Sequence, residues 1–243
     1  MRHKTTFPRR AAAFLLALLL AMPVIYADAG ERKLQTSSEI VDGLTYRNTV
    51  TVNGGSRVES FAFELSPFSD ARPILMQSAG TIYGAASINK AVSNAQEAGY
   101  HVLGAINTDF FAMSTGVPIG LVIEDGVYKS SNDGENAMAI VSDSISIVPS
   151  PQVAMSLYDQ STGLTVVPNS FNKTRSSTGG IYLLNEHFSS VSSRSSGSGW
   201  YVRMQVIPDT YTGQFPELTV NSTLSLEVTE LLRSDQPIVI NPG

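Results

Sequence analysis

Along much of this chain hydrophobic and polar residues alternate with the short period of β-strands, and one segment carries the longer helical period. Residues 46–52 (YRNTVTV) and 58–65 (VESFAFEL) combine β-branched and aromatic side chains with partial alternation, which predicts two strands. Asn53, Gly54 and Gly55 between them accept positive φ, the mark of a tight hairpin turn. Over 88–98 the residues Ile88, Ala91, Val92 and Ala95 recur three or four apart and predict a helix. Ser87 is its expected N-cap and Gly99 its left-handed C-terminal cap.

The run 101–106 (HVLGAI) predicts a buried strand that ends in a polar loop, and 120–124 (GLVIE), Asp125-Gly126 and Val127-Tyr128 predict a second hairpin. Further short strands are expected at 137–141, 145–148, 153–157, 180–184, 200–207 and 218–228, with turn residues between them. The serine-rich stretch 189–199 (SSVSSRSSGSG) predicts a flexible hairpin loop, with a ligand-facing loop as the other reading. The polar stretch 30–43 is expected to lead in to the fold rather than join it. One helix among many strands predicts an α+β fold of β-rich mixed sheets with few helices, in a single domain over 44–243.

Ahead of this pattern lies a segment of another kind. Arg2, His3, Lys4, Arg9 and Arg10 form a basic stretch, 11–21 (AAAFLLALLLA) an apolar one, and Ala27-Asp28-Ala29 a small-x-small site. That order predicts a cleaved secretory signal over 1–29 and a mature start at Gly30. The apolar stretch is short for a membrane span and contains Pro23, so no stable span is expected after cleavage. The chain is therefore expected outside the cytoplasm, secreted or bound to the cell wall, in a bacterium that does not rely on disulfides, because it has no cysteine. Removing 1–29 takes away four basic residues and one acidic residue, so the net charge falls from −5 to −8. Such a balance shows no basic patch for phosphate backbones, and nucleic acid is not an expected partner. The absence of cysteine also excludes thiolate catalysis and Cys-ligated metals.

The candidate chemistry lies after the expected strand 101–106. Asn107, Thr108, Asp109, Phe110 and Phe111 follow at its mouth. Polar groups at the end of a rigid element are well placed to bind or catalyse, and two aromatic residues beside an acid lower its local dielectric and raise its pKa. Asn and Asp are also ordinary turn formers, and paired phenylalanines commonly lie in cores. The residues alone leave a site and a plain turn both open. His101 and His187 lack ligand spacing and are read as structural, so no metal site is expected and no cofactor is named.

The order helix, apolar run, Asn107-x-Asp109-Phe110-Phe111, polar loop, Pro118-x-Gly120, apolar strand and Asp125-Gly126 resembles the phosphodiester glycosidase domain family. Thr108 stands where the family commonly has glycine. A second stretch, 171–175 (FNKTR) followed by Ile181-Tyr182, also resembles the family, with an asparagine and a basic residue ahead of a strand that carries tyrosine. The family's later Arg-Thr-Ala-x-Gly, Asp-Gly-Arg and Asn-Leu-Asp-Gly-Gly-Gly-Ser segments do not occur, so 44–243 is read as the N-terminal part of such a domain.

The resemblance implies hydrolysis of a sugar-1-phosphodiester, with an extracellular glycan or sugar-phosphate polymer as partner. Asp109 is then the candidate catalytic carboxyl, with Asn107, Phe110, Phe111 and Arg175 as candidate substrate-binding residues. A guanidinium suits a phosphodiester because its planar fork meets two oxygens. Asn172 is read as a turn residue, Lys173 as a solvated charge, and Glu124 and Asp125 as solvated turn groups. Two other readings stand beside this one. A non-catalytic glycan-binding module would use Phe110, Phe111, Tyr182 and Trp200 as a sugar platform, and the chain as an inactive fragment would have no site of its own.

Overall fold

A computed structural model of the chain describes residues 31–77, 79–141, 144–177, 179–189, 193–194, 198–208, 217–236 and 238–240. The expected signal segment 1–29 lies outside the described residues, as do 190–192 and 195–197 of the serine-rich stretch. Where the sequence pattern pointed to one domain, the chain divides into two compact units, Met1–Ala71 and Arg72–Gly243.

The first unit is an antiparallel sheet of three long strands, β1 (Arg32–Val41), β2 (Leu44–Asn53) and β3 (Ser56–Leu65), in the order β1-β2-β3. The polar residues taken as a lead-in are therefore a strand, although exposed along its whole length. Its turn signal is Asp42-Gly43, with Gly43 at φ 74° and a register shift between Glu39 and Val41. Gly54 and Gly55 close the second hairpin with φ of 54° and 86°, the doubly left-handed turn that fits the twist of two strands. Cross-strand partners share a face, so Leu34, Val50 and Glu59, Ser38, Tyr46 and Phe63, and Val41, Leu44 and Leu65 fall on one side. Tyr46 stacks on Phe61 at 6.3 Å and tilts against Phe63 at 5.8 Å on that side.

In the second unit the helix expected from its 3.6-residue period is α1 (Ile88–Glu97). The Ser87 side chain accepts from the Lys90 N–H at 3.3 Å, and Gly99 has φ 92°. Strands β4 (Val122–Glu124) and β5 (Val127–Ser130) form the expected hairpin, turned by Asp125 at φ 52° and Gly126 at φ 83°. Further pairs are β6 (Ala137–Val141) with β7 (Ser144–Val148), and β8 (Leu157–Tyr158) with β9 (Thr165–Val166). The remaining pairs are β10 (Ser170–Phe171) with β11 (Tyr182–Leu183), β12 (Ser193–Arg194) with β15 (Val239–Ile240), and β13 (Gly199–Val206) with β14 (Leu226–Ser234). The β10–β11 pair is parallel and the others are antiparallel. With one helix among the described residues, the fold is strand-rich as expected, and more nearly all-β than α+β.

Three expected strands differ, and of 153–157 only Leu157 lies in a strand, as the start of β8. Residues 101–106 take no regular structure, and Ile106 is exposed. An apolar run becomes a buried strand only if a neighbour satisfies its backbone, and among the described residues no strand pairs with it. The strand expected over 218–228 begins only at Leu226, because Val220 and Asn221 form a turn with Asn221 at φ 66°.

Ile82, Val117, Val122 and Phe188 form a buried cluster, with Leu75, Tyr83 and Leu184 packed against it. Its backbone ties are Ile82 N–H to the His187 carbonyl at 2.9 Å and Tyr83 N–H to the Phe188 carbonyl at 2.6 Å. At Gly116, φ 72°, a Cβ would lie 2.3 Å from the Gly84 carbonyl carbon, so only glycine lets the two backbones pass. No helix among the described residues is long and apolar enough to cross a membrane.

Candidate functional site

Residues 107–120, whose Val117 belongs to this core, fold back on themselves. Phe111 and Pro118 form an antiparallel bridge, flanked by Ala112 N–H to the Val117 carbonyl at 2.9 Å and Ile119 N–H to the Phe110 carbonyl at 2.8 Å. Continuing that register two residues outward sets Asp109 opposite Gly120. The Gly120 N–H donates to Asp109 Oδ2 at 2.9 Å.

Asp109 is half-buried, and desolvation pushes its pKa above the ordinary carboxylate value. The N–H bonds from Gly120 and Phe110 and the charge of Lys173 pull the other way, while Glu135 adds to the rise. Burial wins. The result is a carboxyl more ready to hold a proton than a free aspartate.

Lys173, expected to be solvated, is instead 5% exposed. Its ammonium donates to the carbonyls of Pro118, Ile119 and Gly120 at 2.5, 3.0 and 3.1 Å. Desolvation lowers its pKa to about 8 against the opposing pull of Asp133 and Asp109. The sequence reading missed this residue because its partners lie more than 50 positions away. Gly120 was visible only as the end of the Pro-x-Gly step.

Asn172 is a turn residue in backbone terms, with φ 51°, a conformation asparagine tolerates. It is also fully buried. Its amide donates to the Lys129 carbonyl at 2.8 Å and to Asn185 Oδ1 at 2.7 Å, and its Oδ1 accepts from the Asn185 N–H at 2.9 Å. The sharp turn it makes directs Lys173 from the end of β10 toward 118–120.

The other candidates are placed as follows. Asn107 is exposed, and its amide donates to the Asp109 carbonyl at 3.3 Å. Phe110 is 75% exposed and Phe111 38%. They do not wall off Asp109 as paired core aromatics would. Arg175 sits in a second set of bonds, donating to the Ser177 carbonyl at 3.2 Å, to the Tyr201 hydroxyl at 3.2 Å and to the Ser198 carbonyl. Close by, the Tyr182 hydroxyl takes the N–H groups of Ser176 and Ser177 at 3.2 and 3.0 Å and meets both serine hydroxyls. Those bonds favour the phenolate and lower the Tyr182 pKa to about 8. Glu124 pairs with Lys129, and Asp125 is the left-handed residue of the β4–β5 turn.

The structure thus joins Asn107, Asp109, Gly120 and Lys173 in one web, and Arg175, Tyr182 and Tyr201 in another reached through 176–177. Chemically, the first web offers a proton and the second a cationic and hydroxyl surface. Among the described residues no three His, Asp or Glu side chains come together as a metal set. Comparison with protein-family models, with curated proteins and with solved structures finds no match to this chain.

Proposed function

We propose that this chain is an exported protein of the sugar-phosphodiester hydrolase type, with Asp109 as its proton donor. The observation that supports the reading most is the state of Asp109, half-buried, held by the Gly120 N–H and raised in pKa by desolvation. A carboxyl that holds its proton more readily than a free aspartate suits general acid work.

In the proposed reaction the bond between sugar C1 and the bridging phosphate oxygen breaks. Asp109 gives its proton to that oxygen, and water adds to C1 with loss of a proton. The products are the free sugar and a phosphomonoester. The transition state has oxocarbenium character, as in other glycoside cleavages. Asn107 orients the acid's backbone, and the guanidinium of Arg175 with the hydroxyls around it receives the phosphate. An extracellular glycan or sugar-phosphate polymer is the proposed substrate, and the expected signal over 1–29 is the proposed route to it.

The test is incubation of the exported chain with hexose and N-acetylhexosamine 1-(methyl phosphate) diesters, read as release of reducing sugar. Turnover that Asp109→Asn abolishes supports the reading. A fully active Asp109→Asn variant sinks it. The exposure of Phe110 and Trp200, 75% and 66%, favours a second reading as a non-catalytic glycan-binding module. Saturable binding of the same diesters without turnover would select that one.

A further inference from the structure

A lysine is seldom buried unless its ammonium is fully partnered. Lys173 satisfies that condition in an unusual way, because its donors all go to three consecutive carbonyls, those of Pro118, Ile119 and Gly120. In an extended segment successive carbonyls point to opposite sides. Three that converge on one nitrogen require a bent backbone, and the chain does bend at Ile119 and Gly120. Asp133 N–H also donates to the Ile119 carbonyl, at 3.1 Å, which holds the same bend from a second side.

The bent segment carries the N–H that meets Asp109. We propose that Lys173 is a positioning residue for Asp109, gathering the carbonyls of 118–120 so that the Gly120 N–H is fixed on Oδ2. This role rests on the proton-donor reading of Asp109 and holds that acid in one place. The charged groups facing the pair are Asp133 on Lys173 and Glu135 on Asp109.

The test is a carbon-detected magnetic-resonance titration of the full chain, following Asp109 Cγ and the carbonyl carbons of Pro118, Ile119 and Gly120. Near pH 8, where Lys173 loses its proton, the three carbonyls are expected to shift together. Asp109 Cγ is expected to show, besides its own titration, a smaller step at the same pH. In Lys173→Met that step disappears and the Asp109 titration moves upward, while Lys173→Arg restores it toward the wild-type position. Should Lys173→Met fail to fold, the wild-type titration decides alone. An Asp109 Cγ that is flat above its own titration, or an Asp109 that titrates in Lys173→Met where it does in the wild type, overturns the proposal. In the hydrolysis assay Lys173→Met is expected to lower kcat about 10- to 100-fold with little change in KM, as for a misplaced catalytic group. A wild-type chain with both steps and no turnover would sink the hydrolase reading and leave the positioning role standing.

Discussion

Gly120 meets Asp109 through its backbone and leaves no room for a side chain: its N–H donates to Oδ2 at 2.9 Å, and a Cβ there would lie 2.8 Å from that same oxygen. The contact follows from the Phe111–Pro118 bridge, which puts the two residues opposite each other. It accounts for the glycine of the Pro-x-Gly step by contact with an acid rather than by backbone freedom.

Gly120→Ala is therefore expected to displace the carboxylate and weaken its N–H bond. The Asp109 pKa should rise, since that bond is one of the groups lowering it. Proposed hydrolysis should fall at least ~10-fold, because a displacement of ~1 Å at a reacting group can cost ~100-fold. Carbon-detected titration of Asp109 Cγ and initial rates check the two effects. An unchanged titration would mean that the alanine fits without moving the acid.

Asp109 also predicts a pH dependence of stability. Its folded pKa lies above the value in an unfolded chain, so the folded state holds the proton more tightly. The contribution is complete below the unfolded carboxylate pKa and is lost as pH rises through the folded one. Asp109→Asn cannot titrate and keeps an oxygen for the Gly120 N–H. Its melting temperature relative to the wild type should therefore increase from pH 4 to pH 7. Thermal melts of both proteins across that range are the check, and a constant difference would contradict the raised pKa.

The hairpins were legible because their signals are local. Asn53-Gly54-Gly55 and Asp125-Gly126 announce turns within four residues of sequence, and the structure has positive φ at Gly54, Gly55, Asp125 and Gly126. The helix α1 was legible for the same reason, from its cap and its stripe. Residues 101–106 misled because an apolar run records a need for burial and not the partner that would supply it. Lys173 was illegible in a stronger sense. Nothing near it in sequence distinguishes it from a solvated lysine, and its three carbonyls come from 53 to 55 residues upstream. Asp109 was singled out from its setting, and that setting differs from the one the sequence suggested. Phe110 and Phe111 are exposed, and Lys173 and Gly120 are what surround the acid.

Asn172 gives a stability prediction that does not depend on any activity. Its amide, at 0% exposure, bridges the Lys129 carbonyl and Asn185 Oδ1. Asn172→Ala takes that donor from the Lys129 carbonyl and the acceptor from the Asn185 N–H, and puts a residue without a local hydrogen bond at φ 51°. Each unsatisfied buried group costs about 1–3 kcal/mol, so the variant should lose at least that much. Asn172→Asp should be no better, since an acceptor would then face two acceptors. Asn172→Gly relieves only the backbone strain and should fall between wild type and Asn172→Ala. Urea denaturation midpoints at constant slope would rank the four proteins, and equal midpoints for wild type and Asn172→Ala would refute the bridging role.

Tyr182 and Tyr128 should separate in a spectroscopic titration. Burial pushes Tyr128 up to about 12, while the N–H and hydroxyl groups of Ser176 and Ser177 bring Tyr182 down to about 8. Tyr182 should therefore ionise near pH 8, read as a rise in phenolate absorbance near 295 nm, and Tyr182→Phe should remove that step. The sign for stability follows from the same shift. A depressed acid pKa contributes stability that is present above the unfolded value near 10 and is lost as pH falls through about 8. The wild type should thus gain on Tyr182→Phe between pH 8 and pH 10, by a small amount because the phenol is near the surface. Replacing Ser176 and Ser177 with alanine removes the hydroxyls but keeps both N–H donors, so the step should move part of the way toward 10 rather than vanish. An early phenolate step that survives Tyr182→Phe would assign it to another tyrosine and remove the 176–177 loop from the account.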